Sequence, residues 1–127
     1  MAEPAALQAI FIRSQMALQK FGSLSATIIS KSMSPIIEKG DQIEVKPITE
    51  ALQRFDIILF KGERELICHY VWHVNQVMNQ GDQDLVTTRG IPSRRDDYPV
   101  HRKDILGVVV SHRLNLWWKM RLLWANR

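Results

Sequence analysis

Cysteine is nearly missing from this chain: Cys68 is the single one among 127 residues. One thiol closes no internal disulfide, so the cysteine count gives no argument for an oxidising compartment. Long hydrophobic runs are missing as well. A helix that crosses a bilayer needs about 20 apolar residues, whereas residues 105–110 are too few and residues 114–123 are interrupted by charge. Within residues 1–22, Glu3, Arg13, Gln15 and Lys20 break up the hydrophobicity and no basic stretch leads into an apolar run, so no secretory signal is expected. There is no repeat at solenoid spacing and no low-complexity tract. These absences point to one domain over residues 1–127, cytoplasmic or peripheral on a membrane.

An apolar content of 46% is that of a chain that folds around a core. The net charge of +4 would suit an acidic partner, but so small an excess reads as a solvated surface, and no nucleic-acid partner is expected. Pro4, with Leu7, Ile10, Phe11 and Leu18 at helical spacing and Gly22 as a stop, predicts a helix over residues 4–20. Beyond Ser23 the period changes. Thr27, Ile28 and Ile29 predict a strand running up to Ser32 and ended by Pro35, and further strands are expected over 42–45, 56–60, 66–78, 84–88 and 105–110. Hairpin turns are expected at 61–64 around Gly62 and at 79–82 around Gly81. Residues 89–104, with Gly90, Pro92 and Pro99 among charges, read as an irregular surface loop of the kind that carries function. Residues 113–127 read as an amphipathic helix. The expected class is mostly β: a β core over residues 23–111 with a helix at each end.

Chemistry concentrates in few places. A serine at the end of a strand, next to a proline that turns the chain, can present its hydroxyl at the rim of a sheet while its N–H faces a substrate carbonyl. Ser32 fits that description. The segment Ser30-Lys31-Ser32-Met33-Ser34-Pro35, followed by Gly40-Asp41, resembles the nucleophile box of the signal peptidase I family. Later segments resemble the family's other boxes in order. Phe55-Asp56-Ile57-Ile58-Leu59-Phe60 is similar to its Gly-Asp-Ile-Val-Val-Phe strand, with Phe55 in the glycine's place. Leu66-Ile67-Cys68-His69-Tyr70-Val71 is similar to the strand that carries the base. Thr88-Arg89-Gly90 through Asp96-Asp97-Tyr98, then Ile105-Leu106-Gly107-Val108-Val109, is similar to its glycine-aspartate loop and closing strand.

The resemblance implies a coiled antiparallel β-sheet fold shared with the LexA-type repressors, and a serine endopeptidase activity with no cofactor. It implies Ser32 as nucleophile and His69 as base, a histidine at this place marking the archaeal and endoplasmic reticulum subtype rather than the bacterial lysine form. It also implies Asp97 as the acid behind the histidine, with Asp96 as the alternative by one position, and an oxyanion site made by the Ser32 N–H and the Ser30 hydroxyl. An imidazole with a pKa of about 6.5 accepts a serine proton near neutrality, and such bases are usually backed by a carboxylate. The substrate is expected to be an extended peptide with small residues immediately before the cut and two further before it. Three positions depart from the family pattern: Lys31 for a glycine, Tyr70 for an arginine and Ile91 for an aspartate.

Other chemistries fare worse. Cys68 and His69 are neighbours, but successive strand side chains point to opposite faces, so Cys68 is expected in the core. His69 and His73 would share a face about 13 Å apart, too far for one zinc at about 2 Å from each nitrogen. With His101 and His112 scattered, no metal site is expected. Lys61, beside Gly62 in a turn, would stay protonated. Two further classes remain as alternatives. A self-cleaving regulator of the LexA type would want a DNA-binding helix pair, and one helix fits before Ser23. A non-catalytic peptide-binding module would be consistent with Lys31, Tyr70 and Ile91. The tail offers Leu114, Trp117, Trp118, Leu122 and Trp124 among Arg113, Lys119, Arg121 and Arg127, a composition suited either to a membrane interface or to packing on the β core.

Overall fold

The structure, a computed structural model, describes residues 4–75, 85–91 and 95–125. Helix α1 (Pro4–Phe21) begins at a proline, where a missing N–H costs nothing because first-turn donors have no intrahelical partner. It ends at Gly22, whose φ of 76° and N–H bond to the Leu18 carbonyl, 2.8 Å, form a left-handed cap. Leu7, Phe11 and Leu18 are the face that it buries.

Among the described residues seven strands follow: β1 (Leu24–Thr27), β2 (Gln42–Lys46), β3 (Ile57–Lys61), β4 (Leu66–Asn75), β5 (Leu85–Arg89), β6 (Val100–His101) and β7 (Ile105–Val109). Every pairing is antiparallel, the order is β1-β2-β7-β3-β4-β5-β6, and the sheet curls into a half-barrel. The last strand in sequence therefore lies inside the sheet. Helix α2 (Leu116–Ala125) closes the described chain, with the Asn115 side chain accepting from the Trp118 N–H at 2.9 Å as its cap.

Burial along the strands explains the layering. In β2 only Ile43 and Val45 are buried, an alternation that marks one covered face, whereas Ile57 to Phe60 of β3 are all buried, as in a strand covered on both. Ile57 and Leu59 join Cys68, Tyr70, Leu106 and Val109 in a first core with Phe11 and Leu18 of α1 and Leu122 of α2. Ile58 and Phe60 join Val71, Val86, Val100 and Ile105 in a second core on the other face, with Ile48 and Leu52 against it.

Three expectations are corrected. The strand expected to reach Ser32 ends at Thr27: Ile28 still bonds across to Asp41 (2.9 Å) and Gly40 (2.7 Å), then Ile29 turns out to solvent and the serine segment forms a turn. The loop expected over 89–104 contains β6 and a 3₁₀ turn, Arg102–Asp104, because Val100 and His101 pair with Val86 and Leu85. Finally, β4 pairs with β5 through Val71↔Thr88 and then His73↔Thr87, leaving Trp72 as the extra residue of a bulge. The bulge flips the alternation, so His73 and His69 do not share a face. The connection between β3 and β4 is a turn at Gly62, whose N–H meets the Glu65 carbonyl at 2.9 Å. The turn expected at 79–82 lies outside the described residues.

Phe55 stands at φ 79°, the left-handed region that side chains resist. Its N–H is held by the Val71 carbonyl (2.7 Å), and its ring rests against Tyr70 and Trp72, both at 6.2 Å between centroids. This is the position where the resembling strand has a glycine. Phe55→Gly and Phe55→Ala lose the same ring contacts, but only alanine keeps the backbone strain. Phe55→Gly is expected to be the more stable of the two by about 1–2 kcal/mol, read from urea unfolding midpoints; equal midpoints would show that the backbone is unstrained.

Candidate active site

Ser32 lies in a turn fixed by the Ser34 N–H on the Lys31 carbonyl (3.1 Å) and the Ile37 N–H on the Met33 carbonyl (2.9 Å). The Ser34–Pro35 peptide within it is cis. Met33 and Ile37 are buried in the first core and pin the turn from beneath, leaving Ser32 half-buried and Lys31 exposed. His69 sits on β4 opposite Ile58, its ring edge-on to Phe60 at 6.2 Å. Its Nδ1 meets Asp97 Oδ2 at 2.5 Å. The same oxygen accepts from the fully buried Thr88 hydroxyl at 2.8 Å, while the Asp97 N–H donates to the Thr88 carbonyl at 2.9 Å. With Nδ1–H donating to Asp97 Oδ2, the neutral tautomer of His69 presents Nε2 as an acceptor.

Gly90 joins these groups to Ser32. A Cβ built on it would lie 2.8 Å from the Ser32 carbonyl oxygen and 3.4 Å from both Ser32 Cβ and His69 Nε2. The imidazole edge and the serine side chain thus converge on one space, over a residue that must lack a side chain. Next to it the Ile91 N–H donates to the Ser32 carbonyl at 2.8 Å. Ile91 brings no side-chain acceptor here; its backbone is what holds the serine turn.

The two serines engage each other. The Ser32 N–H donates to Ser30 Oγ, and Ser30 Oγ–H donates to Ser32 Oγ, each at 3.1 Å. Among the described residues Ser32 Oγ makes no direct hydrogen bond to His69. Rotation about the Ser32 Cα–Cβ bond carries Oγ between staggered positions, and such bonds often tighten only with substrate present.

Asp96 is not the carboxylate on His69. Its Oδ1 is 2.6 Å from Arg89 Nε and half its side chain is exposed, since neighbours on an extended loop point apart. Arg89 lies over the Trp72 ring at 4.3 Å, and Arg54 lies over it at 4.5 Å. Burial acts to raise the Asp97 carboxyl, but the hydrogen bonds from His69 and Thr88, with the charges of His69 and Arg89, outweigh it and hold the group below its ordinary 3.8. Burial pushes the Cys68 thiol up to about 12, so at neutral pH it is not a thiolate nucleophile. Lys61, at the end of β3, bonds Gln8 at 2.6 Å and lies 3.6 Å from Asp104. An open cleft of about 780 Å³ lies beside His69 and Asp97, walled by Phe60, Ile67, Tyr98 and Val100. Its walls do not include Ser32.

The sequence reading missed Thr88 and the role of Gly90 as a spacer. Thr88 left one signal: it is a polar residue at an inward position of a short β-branched strand, where a buried hydroxyl needs an acceptor. No protein family, no curated protein and no solved structure matches this chain.

Two measurements test the geometry. Gly90→Ala places a methyl against a backbone oxygen that cannot swing aside, and a loss of about 1–3 kcal/mol in unfolding free energy is expected; an unchanged midpoint would remove Gly90 from its role as spacer. The second concerns acid. A carboxyl with a depressed folded pKa contributes stability that is complete above the ordinary value and lost as pH falls through the folded one. The gap in melting temperature between the wild type and Asp97→Asn should therefore narrow on acidification below about pH 4. A gap constant from pH 5 downward would place the carboxylate's stabilisation elsewhere.

Proposed function

We propose that the chain is a serine endopeptidase of the signal peptidase type. One observation carries the reading: His69 is held by Asp97 through Nδ1, while its Nε2 and Ser32 Cβ each lie 3.4 Å from the one point where a Gly90 side chain would stand. Ser32 Oγ attacks the scissile carbonyl carbon as His69 Nε2 takes its proton. The carbonyl oxygen becomes an oxyanion, met by the Ser32 N–H and the Ser30 hydroxyl. The imidazolium, stabilised by Asp97, returns the proton to the leaving nitrogen, and water then hydrolyses the acyl-serine by the same base.

The finer fold reading, a signal peptidase or LexA-like coiled sheet, belongs to the same proposal. It is supported by the antiparallel half-barrel and by the left-handed backbone of Phe55 at the family's glycine position. The sheet's edge strands both border the site in sequence: β1 leads to Ser30 and Ser32, and β6 follows Asp97. An extended peptide with small residues at the first and third places before the cut suits such edges, and no cofactor takes part.

A second reading, a peptide-binding module without turnover, is favoured by the mutual Ser30–Ser32 bonding, which occupies the oxyanion donors at rest. Labelling with a serine-directed phosphonate and locating the adduct by mass spectrometry separates the two. The expected result is an adduct on Ser32, abolished in Ser32→Ala with no change in melting temperature, and a loss of about 10- to 1000-fold in hydrolysis for Ser30→Ala. A chain that binds peptide but takes no label on Ser32 is the module.

A further inference from the structure

The acidic residues are unevenly placed: twelve of the thirteen lie within residues 38–104, the exception being Glu3. Neither α1 nor α2 contains an acid, although they carry Arg13, Lys20, Lys119 and Arg121. Helix α2 is also apolar on two sides. Leu122 is buried and Trp118 half-buried against the first core. At 100° per residue, Leu116, Met120 and Trp124 form a row on the far side, flanked by Trp117 and Leu123. That row is open to solvent: Leu116 is 73% exposed, Trp117 58%, Met120 56% and Trp124 70%. A helix that is hydrophobic all round is normally buried all round. This one buries one side only.

The expectation for the tail named Leu114, Trp117, Trp118, Leu122 and Trp124 together. The structure divides them: Leu114 and Leu122 are core, Trp118 is half core, and the two remaining tryptophans belong to the outward row. The cations border that row. Lys119 falls on one flank of the helix and Arg121 on the other, with the Arg121 guanidinium over the Trp117 ring at 5.2 Å. Helix α1 repeats the arrangement more weakly, with Ile12 and Met16 exposed beside Arg13 and Lys20.

We infer that the outer face of α2 docks on an anionic lipid surface, with Trp117 and Trp124 at headgroup depth and Lys119 and Arg121 on the phosphates. Charge decides the occupant: an apolar stripe edged by cations and free of acids matches an anionic interface and repels a second copy of itself. Among the described residues no helix is long and apolar enough to cross a membrane. This inference is independent of the catalytic reading.

The test is sedimentation of the intact chain with vesicles of phosphatidylcholine, with and without about one-third phosphatidylglycerol. Binding is expected to the anionic vesicles only, to weaken with salt, and to fall at least about tenfold in the Trp117→Ser, Trp124→Ser double variant. Quenching of wild-type tryptophan emission by brominated acyl chains checks the same contact without relying on the variant's fold. Absence of sedimentation, absence of quenching, or equal binding by a folded double variant overturns the inference. A concentration-dependent dimer, without lipid binding and lost in the same variant, assigns the face to a second copy and overturns it as well.

Discussion

The backbone contact between Ser32 and the Gly90–Ile91 segment sets the position of everything at the candidate site. Ser32 stands in a turn between β1 and β2, whereas His69 and Asp97 belong to β4 and to the loop after β5. Neither group would keep its place relative to the other through side chains alone, because Ser32 Oγ bonds Ser30 and not His69. The Ile91 N–H on the Ser32 carbonyl, and the bare Cα of Gly90 beneath it, supply the registration in main-chain atoms. Main-chain contacts have few rotamers to lose, so they position more cheaply than long side chains do.

Behind this contact lies a short polar chain from Thr88 through Asp97 to His69, set against a strand whose neighbours are apolar. Burying a carboxylate disfavours its charge, and here two donors converge on one oxygen to reverse that effect. The arrangement orients Asp97 by both main chain and side chain, since its N–H and its Oδ2 both meet Thr88. Asp96, one residue earlier, is tied to Arg89 instead. Two adjacent acids thus serve different elements, and the strand-like backbone between them is what separates the roles.

Much of the fold was legible from periodicity. The helix at the start, the β-branched strands and the hairpin at Gly62 follow from local preferences that tertiary contacts did not override. Ser32, His69 and Asp97, chosen from sequence, lie together in the fold. What was not legible depends on pairing between distant segments. The strand expected through Ile29 stops because β2 offers no further partner, β6 exists because β5 does, and the bulge at Trp72 turns His73 to the other face. Thr88 escaped notice because a buried hydroxyl is recognisable only once its acceptor is known. Phe55 shows the converse: glycine is absent there, yet the backbone keeps a glycine's conformation.

The position of β7 has a consequence for synthesis. It is the last of the described strands in chain order, and it is the one that pairs with both β2 and β3. The serine turn belongs to the β1–β2 part of the sheet, and the histidine and aspartate belong to the β3–β6 part. A nascent chain halted before Ile105 therefore carries each half of the site on a sheet fragment that nothing in the ladder connects to the other. On the ribosome, the two halves acquire a shared sheet only as the closing strand emerges, and in a chain truncated ahead of it the ladder is broken between β2 and β3.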